Sequence, residues 1–365
     1  MKITWNDADQ RKVLSLIQRK DENILAAEAF LSFLQNDAYL ISKAKVIKKA
    51  MKHKVSDEQA LGMLMKESIQ KYGFSLDEVY FQGIKKLDAS TYTSNPYYQH
   101  IHTLPKQAKQ WELSEESYCP YQVFDYQEVR LQNPGFIEIP QLGYFDKPFS
   151  YLAVLENDTV WMSITPNEIE TMQIAINEVE GHVVCYGLGL GYFAYMASLK
   201  PTVKCVTIVE KDPHVIALFT HDLLPQFDEK DKIEIVPSDA FTYAQHQLKE
   251  ANADFAFVDL WHDPLDGLPM YLTMKSYEKD APNTRFLYWI ESSMLTMLRR
   301  AIVTLVEEQL QGFGEMPQRS VQNPIDGILN GLSKFLKDYP LSTYDELVVL
   351  LQESTLQRIA RELSQ

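Results

Sequence analysis

The chain has 365 residues, 45% of them hydrophobic, and with 14 glycines and 17 prolines its composition is that of an ordinary globular protein. This length is sufficient for two or three domains. The 35 Lys and Arg residues against 50 Asp and Glu residues give a net charge of −15, which disfavours a long phosphate backbone as the main partner.

The cysteines and the N-terminal sequence indicate the cellular compartment of the protein. Cys119, Cys185 and Cys205 do not have the spacing of a metal site. Cys185 and Cys205 lie in apolar runs typical of buried strands, so we expect reduced core residues rather than a disulfide. The N-terminal sequence lacks the apolar centre of a signal peptide, and no segment approaches the length of a membrane span. We therefore expect a cytoplasmic protein without a membrane partner.

The first part of the chain has the pattern of a helical domain, which we assign to residues 1–90. Apolar residues recur there at helical spacing. Two capping boxes are predicted, one by Ser56 with Gln59 and one by Ser75 with Glu78.

The segment Lys43–Lys54, KAKVIKKAMKHK, holds six lysines. The first 110 residues carry 17 basic against 12 acidic side chains, whereas the remainder carries 18 against 38. One interpretation is a patch for an acidic partner such as RNA. We favour a helix whose Val46, Ile47, Ala50 and Met51 face inward while the lysines face water, because charge runs are usually solvated faces.

Residues 91–164 are rich in Tyr, Pro and Phe, and we interpret them as a β-rich connector. The runs FIEIPQLGYF and SYLAVLENDTVWMSI predict strands with turns between them. The aromatic side chains are consistent with a ligand wall or with simple packing. Asn95–Tyr98, NPYY, predicts a turn.

A helix is predicted to begin at Thr165. Thr165 can cap it, Pro166 suits the first helical position, and Glu168 can close a capping box. Ile164 and Ile169 have the spacing of a hydrophobic staple.

From residue 182 onward, short apolar runs alternate with helical segments. This alternation predicts parallel βαβ units in an α/β fold with a doubly wound, mostly parallel sheet, which we assign to 165–320. A tail of two helices is predicted over 321–365. The predicted strands are HVVCYGL, VKCVTIVEKD, KIEIVPSD, ADFAFVDLWHD and TRFLYWIESS.

A glycine-rich loop, CYGLGLGYFA, follows the first of these strands. Gly187, Gly189 and Gly191 stand on alternate positions, which permits a sharp turn and close approach of a ligand to backbone N–H groups. The dinucleotide fingerprint G-x-G-x-x-G would need glycine where Tyr192 stands. A nicotinamide-dependent dehydrogenase is therefore disfavoured.

Polar side chains stand at the ends of the following strands, where open parallel sheets bind ligands. Glu210 can accept hydrogen bonds from two ribose hydroxyls, and Asp239 can accept one from the amine of adenine. Ala240 and Phe241 could enclose the ring. Together these features suit a nucleoside without a pyrophosphate.

At these residues, over about 182–300, the sequence resembles the class I S-adenosylmethionine-dependent methyltransferases. In that family a G-x-G-x-G loop ends the first strand, an acidic residue ending the second strand binds ribose, and an acidic residue after the third binds adenine. The resemblance implies S-adenosyl-L-methionine as cofactor. The cofactor-binding residues that it implies are Gly187, Leu188, Gly189, Gly191, Glu210, Lys211, Asp239, Ala240 and Asp259.

The sequence departs from this family in two places. Cys185 stands two residues before the first glycine, where the family usually has Asp or Glu, and this weakens the expected contacts to the loop and the methionine amine. The antiparallel hairpin that closes the family's sheet is not recognisable in 300–365, which suggests an edge rebuilt from helices.

The segment after the fourth strand, FVDLWHDPLDGL, is where the family places groups facing the acceptor. We expect Asp259 and His262 to be catalytic, with His262 a candidate general base and Trp261 a wall for the acceptor. Equally, Asp259 could bind loop amides and His262 could be a surface residue. A catechol-type magnesium site would use Asp259, Asp263 and Glu291, but the usual fifth-strand Asp-Asn pair is missing and no metal is expected.

The sequence thus predicts a methyltransferase acting on a small molecule, and a protein or RNA docked on the N-terminal domain is the second choice of acceptor. Two other functions stay open. One is a non-catalytic S-adenosylmethionine-binding protein, and the other is an aminopropyltransferase related to polyamine synthases, which would need acidic residues to pair with the polyamine. No feature of the sequence indicates an oligomeric state.

Overall fold

The structure is a computed structural model that describes residues 1–102, 106–108, 111–157, 159–312 and 324–363. Its first part is mainly helical. In chain order, the elements there are β1 (Lys2–Ile3), α1 (Asp7–Asn36), α2 (Lys43–His53), α3 (Asp57–Lys71), β2 (Ile84–Lys86), α4 (Ala89–Thr93) and α5 (Pro96–His100).

One of the two capping boxes predicted for the N-terminal helices is present in the structure. The Ser56 side chain accepts from the Gln59 N–H and the Gln59 side chain accepts from the Ser56 N–H, so this capping box is confirmed. The box predicted at Ser75 with Glu78 is wrong. A 3₁₀ turn begins at Glu78 instead, and the Asp77 side chain accepts from its N–H.

Helix α2 buries a narrower face than the sequence predicted. Val46 and Ala50 are buried as expected, but Ile47 is 38% and Met51 is 76% exposed, so the inward orientation of these two was wrong. Residues i and i+4 share one face of a helix, and α2 packs on α3 mainly through that face. Lys49 pairs with Glu67 of α3, so part of the lysine run is engaged locally.

The connector is β-rich, as expected, and forms two small sheets. One has the order β2-β6-β5 and the other the order β3-β4-β7-β8. The predicted turn at Asn95–Tyr98 is wrong, because Asn95 caps the short helix α5. The strands are β3 (Lys106–Ala108), β4 (Trp111–Tyr118), β5 (Phe124–Gln132), β6 (Ile137–Tyr144), β7 (Phe149–Glu156) and β8 (Thr159–Ser163).

The next part is the predicted α/β unit, and its parallel sheet is confirmed. It comprises α6 (Pro166–Glu178), β9 (Gly181–Tyr186), α7 (Tyr192–Ser198), β10 (Val203–Glu210), α8 (Pro213–Leu218), β11 (Ile233–Pro237), α9 (Ala240–His246), α10 (Leu248–Ala251), β12 (Phe255–Val258), α11 (Pro264–Tyr277), β13 (Arg285–Tyr288) and α12 (Glu291–Leu310).

The order of its strands is β11-β10-β9-β12-β13, and every neighbouring pair is parallel. After β9 the chain adds β10 and β11 on one side of β9. It then crosses back and adds β12 and β13 on the other side, so the direction in which strands are added reverses between β9 and β12. In such sheets the reversal creates a crevice outside the carboxyl ends of the two central strands, here β9 and β12.

Two helix starts in this unit differ from the sequence prediction. Thr165 precedes α6, but its side chain makes no capping hydrogen bond, so the predicted box with Glu168 is not formed. Helix α11 was not predicted. It begins with a capping box of Asp263 and Asp266 and contains Pro269.

The tail comprises α13 (Pro324–Phe335), β14 (Pro340–Leu341), α14 (Tyr344–Leu350) and α15 (Glu353–Leu363), rather than the two predicted helices. β14 pairs in parallel with β1, so the two ends of the described chain meet. Within the part of 300–365 that the structure describes, β14 is the one strand, and no hairpin extends the five-stranded sheet.

The buried apolar residues form two clusters. The larger one runs through the parallel sheet, much of the connector and the tail. The smaller one joins the second half of α1 with α2, α3 and residues of β6 such as Leu142. The domain boundaries assigned from sequence stay a prediction. Among the described helices, none combines the length and the apolar character needed to span a bilayer.

Candidate functional site

The glycine loop lies at the carboxyl end of β9, and two of its glycines are required by the packing. A Cβ on Gly187 would lie 2.0 Å from the backbone oxygen of Asp259, and one on Gly191 would lie 2.4 Å from the ring of Phe219. Both have positive φ, 92° and 76°. These two residues hold the loop tightly against β12 and the segment after α8.

Gly189 differs from Gly187 and Gly191 because a Cβ there would make an ordinary contact rather than a clash. Its φ is 52°, and the nearest atom to a Cβ there would be the sulfur of Met162, at 3.6 Å. Met162 belongs to β8 of the connector. The tip of the loop therefore faces a gap that the connector covers.

Glu210 ends β10 and holds the glycine loop in place. Its Oε1 accepts from the N–H groups of Lys211 and Asp212, at 2.7 and 2.8 Å, and its Oε2 accepts from Leu188 N–H at 3.2 Å. A carboxylate has about four acceptor positions, so one position on Oε2 remains. The exposed side chain of Lys211 takes no part in these bonds.

Asp239 is the N-cap of α9, where its Oδ1 accepts from Thr242 N–H at 3.0 Å. The residue is exposed, and the following Ala240 is buried. The predicted adenine-binding pair thus lies at the carboxyl end of β11, two strands from the glycine loop.

Three carboxylates lie near one another at the carboxyl end of the parallel sheet. Asp259 follows β12, Glu168 lies in the first turn of α6, and Asp125 lies on β5 of the connector. Burial raises the pKa of Asp259 to about 7. Burial, followed by the charges of Asp259 and Asp125, raises the pKa of Glu168 well above its usual value. Burial also raises the pKa of Asp125.

All three carboxylates nevertheless reach solvent, since Asp125 is exposed and Glu168 and Asp259 are partly so. A group that is surrounded by protein yet reached by water lines a crevice. Within the described ranges, no Lys or Arg side chain forms an ion pair with any of the three. Asp125 accepts a hydrogen bond from its own backbone and a long contact from the Asn167 amide, 3.4 Å. The crevice is strongly acidic.

Cys185, the departure noted in the sequence, lies beside the same crevice. Its thiol donates to the Gly187 carbonyl at 3.3 Å. Burial, followed by the charges of Asp259 and Glu210, raises the pKa of the thiol well above its usual value. The charges of Asp259 and Glu210 thus reach Cys185 from other elements.

His262 lies at the rim rather than among the carboxylates. Its Nδ1 is 3.0 Å from Asp266 of α11, and the ring meets that of Trp161 edge-on at 4.5 Å between centroids. Trp261, expected to wall the acceptor, is buried against Gly267. Trp161 of β8, which sequence reasoning did not single out, lies over the rim instead.

The residues of the magnesium alternative are not brought together. Asp263 caps α11. Glu291 accepts from Tyr271 and Gln357 and pairs with Lys275 at 2.9 Å. Among the described residues, no group of three or more His, Cys, Asp or Glu side chains could hold a metal ion.

The connector, residues 91–164, covers the carboxyl end of the parallel sheet. Glu128 of β5 accepts from the N–H and hydroxyl of Ser293 at 2.7 and 2.8 Å, which fixes β5 to the start of α12. Tyr97 of α5 donates to the Leu190 carbonyl at 2.6 Å, and Asn95 donates to the Tyr192 hydroxyl. Sequence reasoning missed these contacts, and a long-range pairing of this kind leaves no local signal.

Comparison with known proteins adds no relative to this picture. A scan against protein-family models gives no match for this chain, and neither does a search of curated proteins.

Proposed function

We propose that this protein is an S-adenosylmethionine-dependent transferase that modifies a small cationic amine, with methyl transfer as the first candidate reaction. One observation carries the proposal. The central strand of the sheet ends in a G-x-G-x-G loop at the reversal of strand order, and the carboxylate that ends the next strand binds the loop through Leu188 N–H. A nucleoside ligand fits such a crevice.

The crevice offers one partner for each part of the cofactor. The remaining acceptor position of Glu210 suits a ribose hydroxyl, and Asp239 with Ala240 suits the adenine. Asp259 and Glu168 suit the cationic groups, since an uncompensated carboxylate near a positive charge regains its ionised form. When bound, the cofactor would supply an electrophilic carbon on a sulfonium.

Asp259 is the residue that we assign to proton transfer. An amine acceptor is protonated in water and must lose that proton before its nitrogen can attack carbon. A carboxylate with a pKa of about 7 can accept the proton near neutral pH. Asp259 would hold this proton while the cofactor supplied the carbon for the new N–C bond and its sulfur kept the electron pair of the broken C–S bond. His262 keeps its place as the alternative base at the rim.

A second candidate, aminopropyl transfer to a polyamine, is favoured by the acidic lining. Carboxylates from β5, α6 and the end of β12 line the crevice without basic partners in the described chain. An acceptor with several amino groups would compensate them. Both reactions would be displacements at a carbon next to the sulfonium, but the acceptor nitrogen would attack the methyl carbon in one and the first carbon of the aminopropyl chain in the other.

Calorimetric titration with S-adenosylmethionine tests the binding site. Gly189→Ala places a methyl group in the gap that the ligand would occupy and is expected to weaken binding at least tenfold. Gly312→Ala is the matched control, because Gly312 also has a positive φ, 81°, and room for a methyl group, but lies at the end of α12. Equal affinities in the two variants would refute the assignment of the loop.

Product analysis separates the two reactions. The protein is incubated with a panel of amines and either S-adenosylmethionine or its decarboxylated form, and the products are identified by mass spectrometry. A methylated amine from the first donor supports the methyltransferase, and an aminopropylated amine from the second supports the alternative. Binding without any product would indicate a sensor rather than an enzyme.

A further inference from the structure

A cavity of about 130 Å³ lies outside the acidic crevice, between α5 and the sheet that contains β4, β7 and β8. Its size is close to the ~150 Å³ that accepts a benzene-sized molecule. The residues that line it are Tyr97, Tyr98, Ile101, His102, Glu115, Tyr151, Leu152 and Ile164.

Tyr97 and Tyr98 have their hydroxyls engaged outside this cavity, whereas the Tyr151 ring faces the other side of the sheet, because Tyr151 lies opposite Glu116 and Leu152 lies opposite Glu115. Tyr97 donates its hydroxyl to Leu190 O at 2.6 Å, and Tyr98 donates its own to Ser150 O. The Tyr151 hydroxyl is bonded to that of Tyr118. Because the hydroxyls of Tyr97 and Tyr98 are engaged elsewhere, the faces and edges of these two rings remain for a ligand. Aromatic faces attract cations.

Among the described residues that line the cavity, the charge has one sign. Glu115 is its acidic member, and none of the eight lining residues is Lys or Arg. Glu115 lies on β4 directly opposite Leu152 of β7. Both Glu115 and His102 are exposed, so they stand where the cavity opens to solvent. The aromatic and aliphatic side chains of the lining and the acidic mouth favour a ligand with an apolar body and a positive end.

From this arrangement we infer that the cavity binds a small organic ammonium ion, with its apolar part among Tyr97, Tyr98 and Leu152 and its charged end beside Glu115. The site is separate from the acidic crevice and does not depend on the function proposed for it. Tyr97 joins the two regions, since it lines the cavity and also packs edge-on against Tyr192 and Tyr195 of α7.

Benzylamine, toluene and benzoate are suitable probes because they share a ring and differ in charge. Calorimetry of the full chain without cofactor is expected to give benzylamine at least a tenfold higher affinity than benzoate. Glu115→Gln is expected to weaken benzylamine about tenfold and leave toluene unchanged. Glu116→Gln is the matched control, because neighbouring residues of a strand face opposite sides.

Two further variants locate the bound amine. Leu152→Phe reduces the cavity and is expected to weaken both benzylamine and toluene. Asp259→Asn is expected to leave benzylamine binding unchanged. If Asp259→Asn abolishes that binding while Glu115→Gln does not, the amine occupies the crevice and the inference is wrong, although the proposed function gains support. Equal affinity for benzylamine and benzoate would also overturn it.

Discussion

Two groups of partly buried charges in this molecule are organised in opposite ways. In the first, Lys275 is 3% exposed and pairs with Glu278 at 2.8 Å and with Glu291 at 2.9 Å. Arg361 adds a second cation to Glu278, and the Tyr288 hydroxyl donates to the same carboxylate. Burial alone would raise the pKa of Glu278, but Lys275 and Arg361 hold it below its usual value.

In the second group, burial raises the pKa of Asp259, Glu168 and Asp125, the charges of the two aspartates add to this effect at Glu168, and none of the three has a basic partner in the described chain. A fully paired network fixes α11, α12 and α15 together and needs nothing from outside. Uncompensated carboxylates in a crevice are unfavourable unless a ligand supplies the missing charge. The presence of a partner of opposite charge therefore distinguishes the charges that stabilise the fold from those that we assign to function.

Breaking the paired group should have the largest effect. Lys275→Met leaves Glu278 and Glu291 without their shared cation and is expected to reduce the free energy of unfolding by about 3–5 kcal/mol. Urea denaturation measures this change. Lys279→Met, at an exposed position four residues further on, is the control and should change stability by less than about 0.5 kcal/mol.

Replacing one carboxylate of each group by its amide should change the free energy of unfolding in opposite directions. The pKa of Asp259 is about 7 when folded against an ordinary 3.8, so its contribution to stability is present below pH 4 and is lost as the pH rises to 7. Asp259→Asn avoids this loss. At pH 8 the variant should be more stable than wild type by about 2 kcal/mol, a value below the full shift because the group reaches solvent.

At pH 4 the two proteins should unfold alike. Glu291→Gln, the same chemical change in the paired group, should lower the free energy of unfolding at pH 8. Thermal unfolding at the two pH values provides the comparison. Destabilisation by Asp259→Asn at pH 8 would contradict the view that this carboxylate lacks a partner.

Ligand binding should follow the ionisation of the crevice. A cationic ligand lowers the pKa of Asp259 on binding, so the affinity for S-adenosylmethionine should rise about tenfold between pH 6 and pH 8. Asp259→Asn should flatten this dependence. Calorimetry at both pH values measures it, and an affinity that falls with rising pH would show that the carboxylates do not meet the cation.

The smallest effect is expected for a pair at the surface. Lys49 and Glu67 join α2 to α3, but the Glu67 side chain is 55% exposed. Lys49→Met should therefore change the free energy of unfolding by less than about 1 kcal/mol, as is usual for exposed pairs. Urea denaturation under the conditions used for Lys275→Met shows whether the loss of stability depends on the burial of the ion pair or only on its presence. A loss comparable with that of Lys275→Met would contradict this account.

The strands of the parallel sheet were predictable because each is a short, continuous apolar run that ends in glycine or an acidic residue. The same pattern placed Gly189 and Glu210 at one edge of the sheet, where the structure has them. Helix α11 was missed because its apolar residues do not follow one stripe and Pro269 interrupts it, although Asp263 and Asp266 have the spacing of a capping box.

The acidic character of the crevice was only partly predictable. Asp259 follows a recognisable strand, but Glu168 had been assigned to a capping box that the structure does not form. Asp125 lies on β5, far from the glycine loop in sequence, and reaches the crevice only because β5 packs on α6. Contacts between segments so distant depend on tertiary packing, which local periodicity does not encode.

A crystal structure of the protein soaked with S-adenosylmethionine tests the central claim most directly. We expect the nucleoside to lie against Gly189 with a ribose hydroxyl bound to Glu210, and the ligand's ammonium group to lie within hydrogen-bond distance of Asp259 or Glu168. Density for the ligand at another place, with these carboxylates turned away from an empty crevice, would contradict the account.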